Sequence, residues 1–95
     1  MQDTKIKLDA LTELKETIGV IRHEIEQEMS MFGVKFQGLC EEGLSVQVAS
    51  NFGEYWQENR NLLETIVGSI DERGLPYING KIVKMDEVLR KQTSV

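Results

Sequence analysis

The stretch Val34 to Ala49 constrains this chain most, because two short apolar alternations flank a break rich in turn-forming residues. Val34 and Phe36 alternate with Lys35 and Gln37, Leu44, Val46 and Val48 alternate with Ser45 and Gln47, and Cys40 to Gly43 lie between. A period of two sends successive side chains to opposite faces of a strand, so the spacing predicts an antiparallel β-hairpin with a four-residue loop. The other amphipathic segments then read as helices that need such a surface to lie on.

The longest of these runs from Asp3 to Phe32. Leu11, Leu14, Ile18, Ile21, Ile25 and Phe32 recur at spacings near three and four, interrupted by Glu28 with Met29 beside it, and define one apolar face of a helix. Thr4 or Asp9 caps its start, the alternation of Ile6 and Leu8 leaves the first eight residues open to an extended form, and Gly33 supplies its stop. After the hairpin, Asn51 and Glu54 have the spacing of a capping box ahead of a second helix, Phe52 to Ile70. Its apolar side chains are Phe52, Trp56, Leu63, Ile66, Val67 and Ile70, and Arg73, Gly74 and Pro76 close it. Asn79-Gly80, between Tyr77-Ile78 and Ile82-Val83, predicts a second, tight hairpin whose central residues need positive φ, so Gly80→Val is expected to be destabilising. Met85 to Lys91 then forms two turns of helix presenting Met85, Val88 and Leu89, and Gln92 to Val95 fray.

This element order predicts a single α+β domain over residues 1–95: an antiparallel sheet of two long and two short strands with helices on one face, a two-layer sandwich. The competing architecture is an all-α helical hairpin, with Val34 to Ala49 as a bent helical turn. Ninety-five residues hold one modest core and no deep cleft between lobes.

Charge narrows the partners. Sixteen acidic residues against eleven basic ones give a net charge of −5, which disfavours nucleic acid, since such binders gain affinity by replacing counterions with Lys and Arg, and favours a basic protein partner. No apolar run approaches the roughly 20 residues that cross a bilayer, so no membrane partner is expected. The N-terminus lacks the charged-then-apolar plan of a signal peptide and the single Cys40 has no intrachain disulfide partner, so the expected compartment is the cytoplasm. Ile6, Leu8, Val20 and Met31 lie off the main apolar line of the first helix, and covering them predicts a homodimer.

No constellation points to catalysis, a metal or a cofactor. His23 is the only histidine, HExxH is absent, and Glu24 and Glu28 read as a solvated face beside an Arg22–Glu26 pair. Cys40 stands beside Glu41 and Glu42, acidic neighbours that discourage the thiolate, and neither glycine cluster forms a phosphate loop. The residues that stand out are Phe52, Tyr55 and Trp56 with Arg60 one turn on. Neighbours on a helix diverge by about 100°, so Trp56 is expected in the core and Tyr55 at its rim, where Tyr55 and Arg60 are the candidate protein-binding residues.

Two local likenesses add expectations. Phe52 to Leu63 resembles the second helix of the WXG-type helical-hairpin proteins of type VII secretion, although no Trp-x-Gly turn is present. Leu75 to Val83 resembles the closing hairpin of thioredoxin-like domains, although no CxxC precedes it. The reading that follows from the residues is a small acidic, non-catalytic interaction or regulatory module such as an adaptor, inhibitor or antitoxin-like partner. The alternatives are a secretion-chaperone-like or WXG-like protein, and an enzyme using Cys40 or the Glu24 and Glu28 carboxylates.

Overall fold

Two helices joined by a short turn at Gly43 to Ser45, not paired strands, occupy Val34 to Ala49. The structure, a computed structural model, describes residues 2–93, and among them there is no β-strand. Helix α1 spans Gln2–Glu42 and α2 spans Val46–Ser69; a wide π-helical turn, Ile70–Gly74, leads into α3, Leu75–Thr93. The α+β sandwich is therefore corrected to an all-α fold, and both predicted hairpins are helical.

The reason lies in two periods that share positions. Val34 and Phe36 match a strand, but Phe32, Phe36 and Leu39 stand at i, i+4 and i+7, and Val48 and Phe52 at i and i+4, which match a helix. The structure follows the second set: Val34 is 72% exposed and Val46 86%, while Phe36 turns inward. Gly33 and Gly38 sit within α1, where each costs about 1 kcal/mol relative to alanine, too little to stop a helix whose inner line continues through Met29, Phe36 and Cys40.

The stop comes at Gly43. With φ of +141°, it adopts a backbone that side chains rarely tolerate, and the N–H groups of Gly43 and Leu44 both donate to the Leu39 carbonyl at 3.2 Å. Ser45 opens the next helix: its Oγ accepts from the Val48 N–H at 3.2 Å and its carbonyl from the Ala49 N–H at 2.9 Å. The cap predicted at Asn51 thus lies six residues further back, and Asn51 is inside α2. The predicted loop did mark the reversal of the chain, but it joins helices.

Arg73, Gly74 and Pro76 do not end the second helical segment. The Leu75 N–H reaches the Ile70 carbonyl five residues back. Pro76 has no N–H to give to Glu72 and its ring crowds that carbonyl, and the wider turn immediately before it takes up the crowding. Asn79-Gly80 lies inside α3 with no positive φ, which removes the second hairpin and its likeness to the thioredoxin-type closing strands. Gln92 continues α3; Ser94 and Val95 fall outside the described residues.

Arg22–Gly68 forms one compact unit, and the chain on either side of it the other. In the Arg22–Gly68 unit the second half of α1 and α2 pair through Phe32, Phe36, Phe52 and Trp56, with the Phe32 and Trp56 rings 4.3 Å apart. Gly53 lets Phe36 approach, since a Cβ there would lie 3.9 Å from the Phe36 ring. In the other unit Leu8, Leu11 and Ile18 of α1 and Ile78, Ile82, Met85 and Leu89 of α3 form the inward lines. Yet only Val67 and Ile78 fall below a tenth exposed among the described residues.

Candidate functional site

A two-helix pair has two inner faces and nothing to cover their edges, so the apolar residues bordering the contact stay open. In the Arg22–Gly68 unit this produces a groove of about 400 Å³ beside the turn, formed by Phe32, Phe36 and Leu39 of α1, Leu44, and Val48 and Phe52 of α2, with Lys35 at its rim. Phe32, Leu39, Val48 and Phe52 are all exposed although each touches the aromatic group or the turn. Tyr55, 60% exposed, extends this face, its ring 5.8 Å from Phe52. Trp56 lies half-buried against Phe32, so the two adjacent aromatics part as helical geometry requires.

Arg60 does not join Tyr55. Five residues along a helix turn a side chain by about 140°, and Arg60 borders a second groove of about 410 Å³ with Glu26, Met29, Gly33 and Gln37. Its Nε pairs with Glu64 Oε1 at 3.1 Å, both groups being exposed. Exposed pairs of this kind contribute little, commonly under about 1 kcal/mol. The two predicted binding residues thus belong to different faces of the same unit.

The residues considered for chemistry are kept apart. Cys40 is half-buried in the last turn of α1, not in a loop, and His23 is exposed 17 residues earlier on the same helix, about 25 Å away at 1.5 Å per residue. Glu24 and Glu28 are exposed one turn apart, and no group of three metal-binding side chains occurs among the described residues. Arg22 and Glu26 form the expected pair at 3.2 Å. Among the described residues no helix is long and apolar enough to cross a membrane.

Leu39, Leu44 and Val48 were not among the expected binding residues, because the period-two reading assigned the last two to a strand facing a core. Their signal was present in the 32-36-39 and 48-52 spacings. Searches for similarity found no match among protein-family models, curated proteins or solved structures.

Proposed function

We propose that this chain is a non-catalytic helical-hairpin protein that works by laying its open apolar face against the helices of a protein partner, in the manner of small secretion-associated hairpin proteins of the WXG type. The carrying observation is the groove at the turn: aromatic and aliphatic side chains that the chain itself leaves uncovered. Contiguous exposed apolar surface of this kind marks an interaction site. The resemblance of Phe52 to Leu63 to a second hairpin helix supports the secretion-associated version over a general adaptor or inhibitor. Synthesis in the cytoplasm with later export is the route this reading implies.

The test is fractionation of source cells expressing a tagged chain, with a cytosolic marker as control and with the export ATPase disrupted in parallel. Accumulation in the medium that depends on the ATPase supports the reading. Retention in the cell in both strains turns it back to an intracellular docking protein.

A further inference from the structure

We propose that the groove at the turn also binds a small amphiphile, a free medium-chain carboxylate, with its anionic head at Lys35 and its tail running toward Gly43. This ligand is separate from the protein partner of the docking reading, and the two share one face.

The wall of the groove carries the argument. All of it lies within the Arg22–Gly68 unit. It is carbon throughout, because Lys35 contributes its methylene stem and keeps its ammonium in water. Lys35 is the one charged residue on that wall, is exposed, and has no ion-pair partner among the described residues. The volume of about 400 Å³ falls in the range of small-molecule sites, which are mostly apolar with a few polar groups that fix orientation. A partner helix, about 10 Å across with its side chains, rests on such a groove. A single hydrocarbon chain enters it, and one anionic head answers the one free cation.

Orientation and length follow from the helix. A helical side chain leans over the turn N-terminal to its own Cα, so Lys35 carries its ammonium toward the mouth at Phe32. At the other end Glu42 borders the adjoining hollow with Leu39, Gly43 and Leu44, and its charge keeps a carboxylate away from the turn. From Phe32 to Leu39 the wall advances seven residues along α1, about 10 Å at the helical rise. A zigzag chain advances about 1.2 Å per bond, as an extended backbone does, so about nine bonds fill that length and decanoate is the matching probe.

The chain carries its own reporter: Trp56 is the single tryptophan, and its ring lies 4.3 Å from that of Phe32 on the groove wall. Trp56 emission and calorimetry on the full chain, below micelle-forming concentrations, are expected to show one decanoate bound per chain. Affinity should rise about two- to fourfold per methylene from hexanoate to decanoate and level off beyond it. Decanol should bind more weakly, and decyltrimethylammonium more weakly still. Lys35→Glu should weaken decanoate about tenfold and place decyltrimethylammonium ahead of it, a reversal that lost folding cannot produce. Leu39→Trp should weaken every member of the series by filling the groove, with circular dichroism confirming its helicity. No saturable binding overturns the proposal. So does a ranking of head groups indifferent to Lys35→Glu, or several ligands per chain with affinity still climbing past laurate, the mark of general surface coating. Binding to phosphatidylglycerol vesicles without binding of free decanoate overturns it in favour of a membrane surface. An exported chain that takes up no carboxylate removes this site and leaves the docking reading standing; saturable, charge-selective binding by a chain that is never exported removes the secretion role and leaves the site.

Discussion

The unit Arg22–Gly68 and the unit formed by the flanking chain solve the same problem, pairing two helices, with different side chains. The first uses three phenylalanines and a tryptophan, which touch at 4.3 to 6.1 Å and still leave Phe32 and Phe52 more than a third exposed. The second uses branched and unbranched aliphatics and brings Ile78 down to 5% exposed. Large rings bridge a pair of helices across its edge, where they cannot be enclosed; small aliphatics fit between the helices and can. Contact and burial are therefore different quantities: the aromatic cluster has the first with less of the second, and in its own unit it is a small aliphatic, Val67, that falls to 8% exposed.

The largest effect expected from breaking this comparison is at Ile78. Ile78→Ala should cost about 3 to 4 kcal/mol in urea titrations, as for truncation of an enclosed aliphatic. Trp56→Ala, despite removing more atoms, should cost about 2 to 3 kcal/mol, below the range for a fully buried tryptophan, because Trp56 is only half-buried. A larger loss at Trp56 than at Ile78 would show the aromatic cluster to be the better enclosed of the two. Gly43→Ala probes the turn and should destabilise by about 1 to 2 kcal/mol, since φ of +141° strains any side chain. The smallest effect has the opposite sign. Gly80→Ala in α3 meets nothing within 4 Å and should raise stability by about 0.5 to 1 kcal/mol, where a tight β-turn at the same place would lose stability.

The opposite signs expected at Gly43 and Gly80 also show why the two glycines were hard to rank in the sequence. Asn79-Gly80 has the stronger local turn chemistry, yet it lies on a helix whose inward line, Ile78, Ile82, Met85 and Leu89, has a helical period and a partner in α1. Packing along that line outweighs a turn preference that concerns two residues. Gly43 has the weaker local signal and becomes the true stop because the residues around it, Leu39, Leu44 and Val48, pack on both sides of a reversal.

By itself the sequence determined the amphipathic segments, the place where the chain reverses, the divergence of Tyr55 from Trp56 and the Arg22–Glu26 pair. These depend on neighbours within a turn or two, and such interactions are written in local spacing. Only the tertiary structure decided between period two and period 3.6 in Val34 to Ala49, rotated the inner line of α1 from Phe32 to Met29 and Phe36, and set Arg60 in a groove with Glu26 and Met29, away from the face that Tyr55 extends beside Phe52. The physical reason is that short apolar runs fit both periods almost equally well, so the choice falls to whichever distant surface can bury them. Here that surface is another helix, and what it fails to bury is the groove at the turn.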